Sequence, residues 1–597
     1  MPSFSSASLL RGREESPCVG AVPERGSAAR STALPLERLT AVLALVVGVG
    51  AGLFAVLFRE MIGWVQAVLL DGVAARGGLF TVLTPALGGL VVGPLIHFLA
   101  REAKGHGVPE VMEAVALKGG RIRPRVVAVK SVASAITIGS GGSVGREGPI
   151  VQIGAAIGST VGQLCRLSDK RVRLLVGCGA AAGIAATFNA PVAGVIFALE
   201  LILNQFTATA FYYLVIASVA ASVIGRAAFG DAPAFVVPPY SMVNPWELFL
   251  YALLGVAAAL VARLFITVLY TAEDAAARVR RVPEWSKAAL GGLLVGSIAV
   301  LSPQVLGVGY GAIEAVLHGA MPVALAAGLV LAKMAATSVT VASGGSGGVF
   351  APSLFIGAML GGTFGELVHA FWPLTTAATG AYALVGMGAM FAGVSRAPIT
   401  AVLIMFELTR DYRIILPLMI ACVISTAVSG RVGRDTIYTV KLRRRGVDLR
   451  AGRDVGVLAG LRVADAMTSR LDTVRTGMTL RDVVALMQKT RHNGFPVVDG
   501  AGRLAGVVTL SDVRRTPMPG RLETRVEDVM SPDPVTVVPT DTLAEAMLKM
   551  TDRDLGRLPV VSPEDPRRPV GIVTRSDVLR AYKRGLLERD EVREASD

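Results

Sequence analysis

From about residue 36 to 440 apolar residues run on for longer than the core of a soluble domain requires. Leu39 to Phe58 is a stretch of 20 residues without a charge, enough to cross about 30 Å of hydrocarbon. It follows Glu37 and Arg38 and no cleavage pattern accompanies it, so it reads as a first membrane helix and not a signal peptide. Later apolar runs vary in length and are cut by Gly and Pro. Some are too short to span, among them the helix expected from Pro109 to Leu117. Partial helices persist at membrane depth only where protein or a water-filled cavity covers the freed backbone groups. Beyond Gly446 the pattern turns to short strands and amphipathic helices of soluble character.

The hydrophobic half repeats itself. Ser140-Gly141-Gly142-Ser143-Val144-Gly145-Arg146-Glu147-Gly148-Pro149 recurs as Ser343-Gly344-Gly345-Ser346-Gly347-Gly348-Val349-Phe350-Ala351-Pro352, with six of ten positions identical. Ala190-Pro191 with Val195, Glu200 and Leu201 recurs as Ala397-Pro398 with Val402, Glu407 and Leu408. Two related membrane halves, each broken by glycines that end in Pro, imply a transporter with its substrate site between the repeats. The soluble part repeats too. Val463–Met467 matches Val526–Met530, Phe495–Val498 matches Leu558–Val561, and Gly506–Val513 matches Gly571–Val578. Each unit reads strand, helix, strand, strand, helix. The first helix of each opens on a capping pattern, Thr479 with Asp482 and Thr542 with Glu545.

Composition agrees with a membrane body. The chain has 597 residues, 52% hydrophobic and 17% charged, with mean hydropathy +0.58. Its net charge of +14 is read as topology, since Lys and Arg gather in cytoplasmic loops, and not as a nucleic-acid footprint. Lys441, Arg443, Arg444 and Arg445 sit where the apolar region ends. They place the downstream domain in the cytoplasm and are expected to meet anionic headgroups. Cys18, Cys165, Cys178 and Cys422 form no CxxC pair, so neither a disulfide framework nor a metal site is expected.

Three Gly-rich segments open apolar helices: Gly105-His106-Gly107-Val108-Pro109, Gly145-Arg146-Glu147-Gly148-Pro149 and Gly348-Val349-Phe350-Ala351-Pro352. Pro suits the first turn of a helix, where its missing N–H is no loss. The free N–H groups and a dipole of about half a positive charge then favour an anion. Three such ends pointing inward would hold a bare anion weakly enough for conduction. Glu147, a carboxylate in a membrane helix break, needs a partner or a role. As an anion itself, it can fill a site meant for one, and protonation would release it.

With these motifs, and Ile437-Tyr438-Thr439 before the basic cluster, the chain resembles the CLC family of chloride channels and chloride/proton exchangers over about residues 36–445. The soluble repeats resemble a tandem pair of CBS domains. The resemblance implies an all-α polytopic membrane protein with inverted repeats, followed by a cytoplasmic α/β CBS module. It implies Glu147 as gating glutamate. It implies an anion site of His106, Gly107, the backbone N–H groups of Val349 and Phe350, and the Tyr438 hydroxyl. It also implies a homodimer with one path per subunit. The expected organisation is a disordered cytoplasmic tail at 1–35, the membrane domain at 36–445 with repeats at about 36–230 and 246–430, and a linker at 446–460. CBS domains are expected at 461–518 and 524–585, with a tail at 586–597. The chain is expected in the cell's inner membrane, with its N-terminus and CBS pair cytoplasmic.

Two departures from the family pattern bear on function. His106 stands where the family usually has Ser. Its imidazole can donate a hydrogen bond when neutral and gains charge near pH 6.5; alternatively the ring turns away and only backbone lines the path. Leu201 stands where exchangers usually carry the internal proton carboxylate. That favours a passive, gated chloride channel; a chloride/proton antiporter is the alternative, with Glu200 as proton-path candidate unless it serves as a helix cap. Asp512 and Asp577 match positions that bind an adenine nucleotide's ribose in CBS pairs, and could equally cap the helices they begin. No cofactor is otherwise expected, and no Gly-Lys dipeptide of a P-loop occurs. A CBS-linked divalent-cation transporter would need clustered membrane carboxylates, where the candidate site offers one. An enzyme is not expected.

Overall fold

The computed structural model describes residues 36–71 and 77–445 apart from 232, 234 and 236, then 458, 460–518 and 520–594. The expected tail at 1–35, Cys18 within it, and most of the linker at 446–460 lie outside the described residues. The expected tail at 586–597 is helical as far as Glu594.

The membrane domain is two sets of eight helices in matching order. The first comprises α1 (Leu36–Gln66), α2 (Gly78–Leu99), α3 (Val108–Leu117), α4 (Arg125–Gly139), α5 (Glu147–Leu164), α6 (Asp169–Phe188), α7 (Pro191–Phe197) and α8 (Ala208–Phe229). A π-helical turn, Ala198–Leu203, continues α7. The second comprises α9 (Glu247–Arg278), α10 (Lys287–Leu301), α11 (Tyr310–Leu317), α12 (Val323–Ala342), α13 (Phe350–Phe371), α14 (Thr379–Ser395), α15 (Pro398–Thr409) and α16 (Ile415–Val432). A short α17 (Thr439–Arg444) ends the domain. Among the described residues eight helices are long and apolar enough to cross a membrane. The short α3 and α11 are not, and the first turn of α3 is covered by protein, with Val108 3% exposed.

The halves meet about a twofold relation, visible in contacts that occur in reciprocal pairs. The Gly145 N–H donates to the Gly348 carbonyl at 2.7 Å, and the Gly348 N–H to the Gly145 carbonyl at 2.6 Å. The Ser143 N–H donates to Thr340 Oγ1 at 3.2 Å, and the Ser346 N–H to Thr137 Oγ1 at 3.3 Å. A Cβ on Gly89 would collide with the Ala288 carbonyl, and one on Gly292 with the Pro85 carbonyl. So α2 and α10 lie backbone against backbone, as small residues permit within a membrane.

The basic cluster has partners within the chain. Lys441 pairs with Glu110 at 2.7 Å, Arg443 with Asp435 at 2.7 Å, and Arg445 with Glu113 at 2.6 Å. Arg444 grips Asp274 through both guanidinium nitrogens at 2.7 and 2.9 Å. All four cations are paired with acids of this chain, so the cluster ties α17 to α3 and α9.

In the soluble part, β1 (Val474–Arg475), β2 (Gly494–Val498), β3 (Leu504–Thr509) and β4 (Ser531–Pro532) form one sheet in that order. Strands β5 (Arg557–Val561) and β6 (Pro569–Thr574) form a second. Helices Leu480–Thr490 and Leu543–Asp552 begin with the expected capping boxes. The units are less self-contained than their sequences suggest. β4, which follows the second unit's first turn, pairs with β3 of the first unit, and Thr468 of the first bridges Ile572 of the second. The second unit's own opening strand shrinks to one bridge, Val537 to Val560. Glycines admit the exchange: a Cβ on Gly506 would lie 2.7 Å from Met530 Sδ, and one on Gly571 would lie 2.9 Å from Met467 Sδ.

Candidate functional site

Gly105 and Gly107, at φ 81° and 85°, turn the chain sharply into α3, a left-handed backbone that Gly adopts without steric cost. The Gly105 N–H donates to the Gly345 carbonyl at 3.3 Å, and the Gly347 N–H returns to the Gly105 carbonyl at 3.4 Å. A Cβ on Gly148 would collide with the His106 carbonyl, and one on Gly348 would lie 2.6 Å from the Gly148 nitrogen. The three predicted breaks therefore meet, and the starts of α3, α5 and α13 converge. The first N–H groups of each helix have no intrahelical partner, so the meeting point is lined by donors.

The predicted side chains gather there. His106, Glu147, Val349, Phe350 and Tyr438 are all between 0% and 3% exposed. Both ring nitrogens of His106 are buried without a hydrogen-bond partner. The ring lies 6.2 Å, centroid to centroid, from that of Tyr438, so it faces the residue expected to share its anion. Phe350 is wedged between Phe391 and Phe188, with centroids at 4.5 and 5.6 Å, which fixes the first turn of α13.

Glu147 Oε1 accepts a hydrogen bond from the Tyr310 hydroxyl at 2.9 Å. Oε2 makes no hydrogen bond of standard geometry, and the carboxylate lies beside the Ala351 N–H at the start of α13. It occupies the space a Cβ on Gly145 would take. The carboxylate thus sits at a helix N-terminus, where a free anion would be favoured.

Glu200 and Glu407 are reciprocal helix caps. Glu200 Oε2 accepts from the Thr400 N–H at 2.8 Å and its hydroxyl at 2.6 Å, at the start of α15. Glu407 accepts from Val192 N–H at 3.0 Å and Ala193 N–H at 2.7 Å, at the start of α7. Leu201 is buried in the π turn, 7% exposed. In the soluble part Asp512 Oδ2 accepts from Thr509, and Asp577 Oδ2 from Thr574, each through the N–H and the hydroxyl. Both aspartates cap their helices, and neither lies near the membrane site in sequence or contact.

Sequence reading missed three residues. Lys130 and Lys333, each 0% exposed, are repeat mates on α4 and α12. Lys130 Nζ donates to the Ala103 carbonyl at 2.9 Å and the Gly105 carbonyl at 2.7 Å. Lys333 Nζ donates to Val305 at 2.9 Å and Gly307 at 2.8 Å. Each stands ten residues before a Ser-Gly-Gly-Ser motif, a spacing that would have revealed them. The third is Tyr310. It follows Gly307-Val308-Gly309, the repeat counterpart of Gly105-His106-Gly107, with Gly309 at φ 85° like Gly107. That fourth break lacks a Pro in its first turn, so the Gly-to-Pro pattern passes over it.

Comparisons with known proteins agree with this architecture. The family described as voltage gated chloride channel matches residues 88–430, and the CBS domain matches 463–518 and 526–584. The chain is 35% identical over 413 residues to a protein of Ralstonia nicotianae described as ClcB-like chloride channel, covering 67% of this chain and 96% of that one. It is 31% identical to the chloride channel protein CLC-e of Arabidopsis thaliana, covering 93% and 89%. It is 34% identical to the H(+)/Cl(-) exchange transporter ClcA of Cronobacter sakazakii, covering 67% and 89%. Among solved structures, a slow cyanobacterial Cl-/H+ antiporter superposes with TM-score 0.64 at 26% identity, over 69% of this chain and 99% of that one. A eukaryotic CLC transporter superposes with TM-score 0.62 at 21% identity, over 91% and 99%, a likeness of fold. Paired membrane repeats that bring three helix starts to one buried point, followed by two CBS units, make this chain a member of the CLC family of chloride channels and transporters.

Proposed function

We propose that this protein carries chloride through a gated path in each subunit, with Glu147 as the gate. The observation that carries the reading is the buried Glu147 carboxylate at the meeting point of α3, α5 and α13, beside the Ala351 N–H. Ionised, it takes the place of the transported anion; protonated, it loses its attraction to the helix start and leaves. The anion is held by the N–H groups of Gly107, Val349 and Phe350, the Tyr438 hydroxyl and one N–H of His106. The unpartnered His106 nitrogens support the last of these.

Leu201 favours passive conduction, because a leucine holds no proton. Proton-coupled exchange is the second reading. It is favoured by the relatives named as exchange transporters and would route protons through Glu147 and Glu200. The CBS pair regulates the path, with an adenine nucleotide at Asp512 and Asp577; titration calorimetry with ATP and AMP on the full chain tests this, and no heat with either rejects it. The chain works as a homodimer in the cell's inner membrane, with the CBS pair cytoplasmic.

The test uses purified protein in liposomes, following chloride and pH together as a chloride gradient runs down. Chloride flux without uphill proton movement supports the channel, and uphill proton movement replaces it with the exchanger. Glu147→Ala is expected to raise chloride flux at pH 7 about tenfold, as loss of a competing charged group worth about 1.4 kcal/mol would do, and to flatten its acid dependence. Flux indifferent to that substitution would remove Glu147 as the gate.

A further inference from the structure

Glu147 belongs to the first repeat, but its one hydrogen-bonding side chain comes from the second. The Tyr310 hydroxyl donates to Oε1 at 2.9 Å. Tyr310 is held on three sides. Its ring meets Phe235 edge to face, centroids 5.3 Å apart. The Arg146 guanidinium carbon lies 5.2 Å from its ring centre. The loop that delivers it, Val305 to Gly309, is pinned by Lys333 Nζ through two carbonyls. Gly309 then turns at φ 85° to start α11 on Tyr310. The repeat counterpart of Tyr310 is Val108, which starts α3 in the same way and has no hydroxyl to donate. The donor is therefore a feature of one half alone, placed where it meets the carboxylate.

We propose that Tyr310 is the positioning residue that holds the Glu147 carboxylate in the anion path, so that a tyrosine of the second repeat sets how readily the gate of the first one opens. This rests on the reading of Glu147 as the gate. A hydroxyl donor favours an ionised carboxylate over a protonated one, since the protonated oxygen is the weaker acceptor. The titratable and charged groups that face Glu147 are Arg146 beside it, Tyr310 on α11, Lys333 on α12 and Tyr438 before α17. Of these, Tyr310 alone makes a side-chain hydrogen bond to it among the described residues.

The experiment measures chloride flux against external pH in liposomes for four proteins: unaltered, Tyr310→Phe, Glu147→Ala, and the pair together. Phe keeps the ring against Phe235 and removes only the hydroxyl. Tyr310→Phe is expected to move the acid-activation profile about one pH unit toward neutrality, roughly the tenfold effect of one hydrogen bond to a charged group. Added to Glu147→Ala, it is expected to change nothing. An unmoved profile for Tyr310→Phe, with Glu147→Ala still altering flux, overturns the inference and leaves the gate reading intact. The same fold-change in both backgrounds also overturns it, because Tyr310 would then act on the path or the fold and not on Glu147. If Glu147→Ala itself leaves flux and profile unchanged, the gate reading falls and this inference with it.

Discussion

Lys130 and Lys333 carry their side-chain nitrogens into the interior of the membrane domain, and each donates to two backbone carbonyls in place of water. Those carbonyls belong to the segments that lead into α3 and α11, where left-handed glycines set the chain direction. Replacing Lys333 by Met keeps the stem and leaves two buried carbonyls unpaired. The expected cost is about 3 kcal/mol, read as a lower melting temperature in detergent, and a melting temperature equal to that of the unaltered protein would refute the clamp. Gly145 is a second informative position. A methyl group there must displace Glu147 Oε2 while pressing the Ala351 nitrogen at 3.1 Å. Gly145→Ala is therefore expected to raise flux at pH 7 toward the level of Glu147→Ala; flux below that of the unaltered protein would show that the methyl narrows the path instead of dislodging the gate.

Among elements, the short helices are the ones that need help at their ends. Both α7 and α15 begin on Pro and are capped by a glutamate from the opposite repeat. A carboxylate at a helix N-terminus gains from both the free N–H groups and the dipole. Glu407→Gln retains an acceptor and loses the charge, so a destabilisation of about 1 kcal/mol is expected by thermal unfolding. In the soluble part the same device operates within one helix. The Thr479 backbone N–H, followed by its hydroxyl, holds the Asp482 carboxyl below the usual carboxylate range. Its contribution to the helix Leu480–Thr490 is present in full above the unfolded value near 4. It is lost as pH falls through the lower folded value. Circular dichroism of Asp482→Asn should accordingly show a lower melting point at pH 7, with the gap to the unaltered protein closing under strong acid.

At the scale of the whole molecule, function depends on pieces far apart in sequence. The proposed anion site draws on α3, α5, α13 and the residue before α17, and the proposed gate carboxylate of Glu147 on α11 as well. The basic cluster joins α17, the last membrane helix before the CBS units, to α3 and so to the start that carries His106. Strand β4 and Thr468 each pair across to the other CBS unit, so the two units are expected to unfold together. A chain ending at residue 518 would leave the outer edge of β3 without its partner strand. The first unit is then expected to lose protease resistance, and a resistant fragment spanning 460–518 would show that it folds alone.

Much was legible in the chain because membranes and glycines leave strong marks. Uncharged runs gave the spans, the Ser-Gly-Gly-Ser repeat gave the paired halves, and the Gly-to-Pro breaks gave the helix starts that converge, while the roles expected of Glu147, Val349 and Phe350 came from the family resemblance. The capping boxes at Thr479 and Thr542 were equally plain, being local in sequence. Tertiary structure alone decided what depends on distance through space. It directed the cations after Tyr438 to Glu110, Glu113, Asp274 and Asp435, turned the His106 ring toward Tyr438, and exchanged strands between the CBS units. It also brought Tyr310, 163 positions away, to the Glu147 carboxylate. A hydrogen bond between halves related by a twofold has no local periodicity, so composition and spacing carry no trace of it until the two repeats are packed.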